Sequence, residues 1–453
     1  MKKSALLFLI PFLLLPSCGK EKPNPSFDGN YFRYPEPKYK VLNYGESIVI
    51  DFEKELFSDG TMSTYNNGLI SIKENYDCIR LDSFFIPNVD SGVKIKQISS
   101  FKFRITNKNI TEFCVKSRPK PYFYNTKTNM RSSAAEIYHL YFQPKEEYIV
   151  KVKSYNDFFD ICQWSSVRLC NDIDFSNRGG IKAQLIDTNG TGYFEGCFFN
   201  PDHHVIRNWD EDDPPGGWKS IMFSDLRNAL LDSLIFENIS YHSMEEEKTS
   251  FGLLARSSYN SHFNNITVRN LNFEITGGTV GGLVAESVQD DFTNCNVEAN
   301  IISNGNSWKS TNNQIGALAA NHFSVNIEHT YPWTHDDSLR NDFYSYYPFH
   351  HYSKEDAVKI NEEKIKDYQN KPILRNNHVK VNLENPTYCV GGFFGCSDTE
   401  NFDETNTVEG HIKGYRVGKY RGMSSLYWRL YETSIDFEPE PGKIEELDYS
   451  AKN

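Results

Sequence analysis

The residues with the most chemical promise lie together in one stretch, "VNIEHTYPWTHDDSLRNDFYSYYPFHHYSKEDAVKINEEKIKDYQNK", from Val325 to Lys371. It holds four of the twelve histidines (His329, His335, His350, His351) and nine aromatics, Phe343 and Phe349 among them. The ligand-binding candidates are Tyr331, Trp333, His335, Asp336, Asp337, Tyr344, Tyr346, Tyr347, His350 and His351. Aromatic faces beside carboxylates suit sugar rings, which stack on Tyr and Trp while their hydroxyls bond to Asp and Asn. The same aromatics would equally dock the segment on a neighbouring wall, at about 25 cal/mol per Å² of apolar area buried. His335 with Asp336 and Asp337 offers metal-ligating atoms, but the two-histidine helical spacing of a zinc protease is absent. The second half predicts a helix, with Ser353 as cap, Asp356 three residues on and Pro372 past its end.

Other clusters carry less. Asp210-Glu211-Asp212-Asp213 before Pro214-Pro215-Gly216-Gly217 could present carboxylates to a hard cation, although the spacing of a calcium-binding helix-loop-helix is missing and a solvated acidic loop explains it as well. Glu286, Asp290 and Asp291 supply the carboxylates that glycoside hydrolysis or elimination would need, against a plainer role in solvating the edge of a strand. His203 and His204 read as turn residues. No nucleophile elbow, phosphate loop or dinucleotide fingerprint occurs, so no catalytic residue, metal or cofactor is assigned.

The elements that would position these residues form a repeat. "FGLLARSSYNSHFNNITV" from Phe251, "VGGLVAESVQDDFTNCNV" from Val280, "IGALAANHF" from Ile315 and "VGGFFGCS" from Val390 share a glycine, apolar, small-residue cassette. Gly252 to Gly282 is 30 residues and Gly282 to Gly316 is 34. An Asn-bearing strand follows, at Asn264-Asn265, Asn294-Cys295-Asn296 and Asn376-Asn377. A period of about 20 to 50 residues signals a solenoid or array, whose units bury a core only by stacking. Gly would allow a corner with positive φ or a close approach between rungs, and Asn tolerates left-handed turns and can bond to the Asn of the next rung. Ala255, Ala285 and Ala319 suit a crowded interior. Ala319 to Asn376 spans 57 residues where Ala255 to Asn264 spans nine, so Val325 to Lys371 is an insertion into one unit.

The units resemble the GLUG-type repeats of bacterial cell-surface proteins. The lead-in is similar too: a short helix at about Tyr155 to Gln163, an Asp172-Ile173-Asp174 strand, and Phe194-Glu195-Gly196 running to Asn200, His204 and Ile206. The likeness covers about residues 148 to 422 and implies a right-handed parallel β-helix. The double glycine is incomplete at Gly252-Leu253 and Gly316-Ala317.

Ahead of the repeat, "SIVIDFEKELF" from Ser47, "VKIKQISSFKFRIT" from Val93 and "IYHLYF" from Ile137 alternate apolar and polar residues as half-buried strands do. They predict a small β-sandwich-like domain. The opening "MKKSALLFLIPFLLLPSCGKEK" joins a basic start to an apolar run too short to span a bilayer. Leu15-Pro16-Ser17-Cys18 resembles the lipobox of bacterial lipoproteins, which implies lipidation of Cys18 and a membrane anchor there; an ordinary secretory signal with a chance Cys is the alternative. Eight cysteines remain (Cys78, Cys114, Cys162, Cys170, Cys197, Cys295, Cys389, Cys396), and isolated buried thiols are expected in preference to disulfides.

The whole is thus expected to be all-β. Residues 1–17 form a lipoprotein signal peptide, 18–30 a tether, 31–145 the β-sandwich-like domain, 146–430 the β-helix with its insertion, and 431–453 a loose acidic tail. A net charge of −12 argues against a nucleic-acid partner. The expected role is binding or adhesion, to a glycan or a host or cell-surface protein, by an outer-membrane lipoprotein facing the surface or the periplasm. A polysaccharide lyase or glycoside hydrolase on the β-helix flank is the alternative, and a purely structural envelope protein a third.

Overall fold

The computed structural model describes residues 38–52, 54, 61–64, 68–71, 79–85, 92–99, 101–117, 119–125, 130–133, 138–176, 193–212, 220–243, 250–303, 314–323, 372–397, 402–424 and 445–449. From Val150 onward the chain is a parallel β-helix. Two seven-stranded sheets and one longer sheet run along it, and almost every neighbouring pair is parallel.

One rung shows how the sequence makes the coil. Ala255–Tyr259 forms the first wall, His262–Asn264 the second and Thr267–Ile275 the third, and Thr279–Gly281 leads into the next rung. Within Thr267–Ile275 the inward residues are Val268, Leu271, Phe273 and Ile275, so the period of two slips once, at Asn270. Asn270 has φ 56° and takes up the extra residue as a bulge. Asn208 and Asn238 do the same in the two preceding rungs, with φ 58° and 54°. Asn238 Nδ2 donates to Asn208 Oδ1 and Asn270 Nδ2 to Asn238 Oδ1, both at 3.0 Å. The corners are left-handed as well: Asn228, Asn260 and Gln289 between the first and second walls, and Ser233, Asn265, Asn294 and Asn376 between the second and third. Asn is the side chain that visits this region at least cost, and stacking bonds it to its own kind.

The cassette glycines do something different. None of Gly252, Gly281, Gly316 and Gly391 has positive φ. A Cβ on any of them would overlap the carbonyl oxygen three residues on, at Ala255, Val284, Ala319 and Phe394 respectively. They are close-approach residues, and most of the left-handed corners between walls belong to Asn. Register pairs Gly252 with Gly281, Gly281 with Gly316 and Gly316 with Gly391, so the structural partner of Gly252 is Gly281, not Gly282. The second cassette position is mixed: Leu253 and Ala317 carry side chains there, whereas a Cβ on Gly282 or Gly392 would overlap the carbonyl oxygen of Ala317 or Lys419 in the next rung. The interior is continuous, with Phe263 stacked on Phe292 at 4.8 Å and Phe194 on Phe223 at 4.7 Å.

Three expectations are corrected. The predicted helix at 155–163 is a 3-10 helix, Tyr155–Asp160, whose Asp157 carboxylate accepts the amides of Lys153 and Ser154. Asp210 to Asp212 close the strand Val205–Asp212, and so are not part of an acidic loop. Part of the tail is not loose, because Glu445–Tyr449 pairs antiparallel with Gly410–Gly414 and covers the edge that the last rung would otherwise expose.

The N-terminal part is sandwich-like. Ser47–Asp51, Lys102–Thr106 and Lys94–Ser99 form one antiparallel sheet, so the second alternating stretch is a hairpin. Lys38–Leu42, Tyr138–Phe142 and Val115–Ser117 form another, and both face a core of Leu42, Ile50, Phe52, Phe103, Ile105, Leu140 and Phe142. Every residue of Tyr138–Phe142 is buried, although its alternation predicts one wet face. The second face meets the β-helix.

Candidate functional site

The contact between the two domains follows one column of the second wall. Ser166, Cys197, Leu230, His262 and Asp291 are successive register partners, one per rung. All five point out of the coil, and all five are buried. The N-terminal domain covers them in order. Ser166 Oγ donates to Gln143 Oε1, Cys197 Sγ lies 2.6 Å from Cys114 Sγ, and Leu230 packs in an apolar cluster with Tyr141 and Val41. His262 Nε2 is 3.2 Å from His139 Nδ1, and Tyr39 donates its hydroxyl to Asp291 Oδ2.

Chemistry concentrates at the far end of this seam. His262 Nδ1 is also 2.8 Å from Asp291 Oδ2, and the Tyr39 ring lies 4.1 Å from the His262 ring. Asp291 Oδ1 accepts the amide of Ile373 at 2.5 Å. One carboxylate therefore gathers the N-terminal domain, the rung below and the chain returning from the insertion. Burial alone would raise the Asp291 carboxyl, but the contacts from His262, Tyr39 and the Ile373 amide outweigh it and hold it below the usual range. Tyr, His and Asp in this arrangement have the composition of a proton relay, yet His262 is 3 % exposed and Asp291 7 %. No substrate reaches them, so the cluster holds surfaces together.

A second cluster lies inside the coil. Ser287 Oγ donates to Asp290 Oδ2 at 2.7 Å and lies 2.9 Å from His322 Nδ1, while Asp290 Oδ1 accepts the Ser261 amide at 2.7 Å. Burial pushes Asp290 up to about 8, against the opposing bonds from Ser261 and Ser287, and pushes His322 down to about 3. His322 stacks on Phe394 at 4.5 Å. Serine, histidine and aspartate meet here, but in the core and without access. Asp290 and Asp291 are therefore not edge residues in solvent, and neither offers a carboxylate to a groove. Glu286, half-buried, accepts from Ser250 Oγ at 3.0 Å.

The ten binding candidates from Tyr331 to His351, and Cys18, lie outside the described residues, but the place where the insertion leaves and returns is defined. Phe323 ends the first wall as the register partner of Val288, and Leu374 resumes the second as the partner of Phe292. Across the insertion Asn376 Nδ2 donates to Asn294 Oδ1 at 2.7 Å, and Lys380 Nζ pairs with Glu298 at 2.8 Å, each 82 residues away in sequence. In the two uninterrupted rungs before it, register partners on the same wall are 32 and 29 residues apart, as in Ile235 with Thr267 and Thr267 with Asn296. The insertion is thus rooted at a corner whose two sides keep their register, beside the Asp291 cluster. His203, with φ 58°, and His204, whose amide donates to Asn200 Oδ1, hold a turn as expected.

Tyr39, His139 and His262 carry no motif, and sequence reasoning passes over them. A signal is present for one of them: aligned by rung, His262 stands where the preceding rung has Leu230. Among the described residues no group of three or more His, Cys, Asp and Glu is placed to hold a metal ion. Set against family models, curated proteins and solved structures, the chain matches none.

Proposed function

We propose that this chain is a cell-envelope lipoprotein, anchored through Cys18, that binds a glycan or a host or cell-surface protein through the segment inserted at 325–371, displayed on a GLUG-like β-helix. The observation that carries the reading is the root of the insertion. A long, aromatic- and histidine-rich segment leaves a rung that stays in register on both sides and is tied down by Asp291. Binding residues favour loops held by rigid scaffolds. The lipobox-like Leu15-Pro16-Ser17-Cys18 supports the anchor, and the leading apolar run supports export to the outer membrane, on its periplasmic or outer face.

The test is a glycan and matrix-protein array probed with residues 25–453, with and without Val325 to Lys371. The deletion suits the fold. Three residues separate Val288 from Phe292, and after deletion Ser324, Pro372 and Ile373 separate Phe323 from Leu374. Binding by the parent that vanishes in the folded deletion supports the proposal. Binding that survives puts the site elsewhere, and turnover of a bound glycan replaces binding with a carbohydrate-active enzyme.

A further inference from the structure

We infer that Cys114 and Cys197 form a disulfide that locks the N-terminal domain onto the β-helix. The two sulfurs come from different domains, are 83 residues apart in sequence and lie 2.6 Å apart. That is far inside the contact distance of unbonded sulfurs and close to the covalent bond, about 2.05 Å. Both are buried, in a pocket closed by Tyr141, Leu230, Tyr39 and Val41, with Gln143 Nε2 3.7 Å from Cys114 Sγ. Cys114 is held by its own domain, because Asn109 Nδ2 bonds the carbonyls of Phe113 and Phe142. Cys197 is held by the rung, because its amide donates to the Ser165 carbonyl at 3.1 Å. Cys295 shows the contrast: it is a buried thiol, raised to about 12 by burial, and its sulfur lies against the backbone, 3.4 Å from the Phe263 carbonyl oxygen and 3.7 Å from that of Thr293.

Closure removes one hydrogen from each thiol and joins the sulfurs. The two electrons and two protons pass to a disulfide donor, which is cleaved to two thiols. Burial of both sulfurs means that the exchange takes place as the domains dock and that a reductant reaches the finished bond slowly. An oxidising compartment is required, so the bond's formation in the cell rests on the export proposed above, whereas the geometry does not.

The test uses the full-length chain in two arms. In the first, protein reduced in denaturant is refolded in a buffer of oxidised and reduced glutathione, then alkylated and digested without reductant. In the second, protein isolated from cells is alkylated at once and digested alike. We expect a Cys114–Cys197 linked peptide in the first arm, and a thermal midpoint at least about 5 °C lower after reduction, as for a cross-link closing a loop of this length. The Cys114→Ala, Cys197→Ala double variant should fold, lack the peptide and show no reductant-dependent shift. A folded, refolded parent in which both cysteines are alkylated, or in which either pairs with a third, overturns the inference. A linked peptide in the first arm but not the second upholds the inference and overturns export.

Discussion

An uninterrupted rung and the interrupted one are held by the same bond. Asn260 reaches Asn228 across 32 residues at 2.6 Å, and Asn376 reaches Asn294 across 82 at 2.7 Å. Closing the longer loop costs about 0.8 kcal/mol more, since the penalty grows only as the logarithm of length. One ladder hydrogen bond, at about 1 kcal/mol, offsets that. Register in this solenoid therefore depends on what each rung meets above and below and little on how much chain lies between. A binding segment can be added at a corner without redesigning the coil.

The largest effect should come from breaking register where chain and neighbour meet. Gly316→Val would drive a side chain into the Ala319 and Phe393 carbonyls, and we expect a loss above about 4 kcal/mol, seen as little soluble, folded protein. Next is Asp291→Ala, which strands the Tyr39 hydroxyl and the Ile373 amide and removes the acceptor beside His262. Chemical denaturation should show a loss of about 3–5 kcal/mol, against about 1 kcal/mol for Asp225→Ala, whose partner Arg256 keeps some contact with water.

Inside the coil the comparison sharpens with pH. Asp290 has a folded pKa near 8, above its unfolded value, so its contribution is full below about pH 4 and is lost as pH rises through 8. His322 runs the other way. Its folded pKa near 3 lies below the ordinary histidine value, so stability is lost as pH falls from about 6.5 toward 3. Asp290→Asn keeps an acceptor for the Ser261 amide and can donate to Ser287. Relative to the parent it should therefore stabilise more at pH 8.5 than at pH 5, by at least about 1 kcal/mol, measured by urea unfolding at both. Smaller than the loss at Asp291 is that of Asn238→Ala, which puts alanine at φ 54° and cuts two ladder bonds near solvent, at about 1–2 kcal/mol.

The repeat, the Asn ladders and the size of the insertion were legible because each is local: a period, a residue type with its own backbone preference, and a length that fails to fit. The roles of the glycines were only half legible, since a glycine tolerates both positive φ and close contact and the sequence does not say which is used. The seam was not legible. His139 and Tyr141 occupy the outer positions of an alternating strand, where solvent is the default partner, and only the approach of a second domain makes them interior. Asp290 and Asp291 look in the sequence like carboxylates of a groove or a strand edge for the same reason. Their burial depends on Ser261 one rung below and Tyr39 some 250 residues earlier, and no local pattern carries that information.

Hydrogen exchange on the rungs flanking the insertion, in the intact chain and in the chain lacking Val325 to Lys371, tests most directly whether the coil carries that segment as a passenger. Amide protection in Asp291–Thr293, Asn296–Ser303 and His378–Gly391 should be the same in both, with the thermal midpoint unchanged within a few degrees. Loss of protection across those strands on deletion would mean that the segment is part of the fold, and the division between rigid scaffold and displayed binding surface would fall.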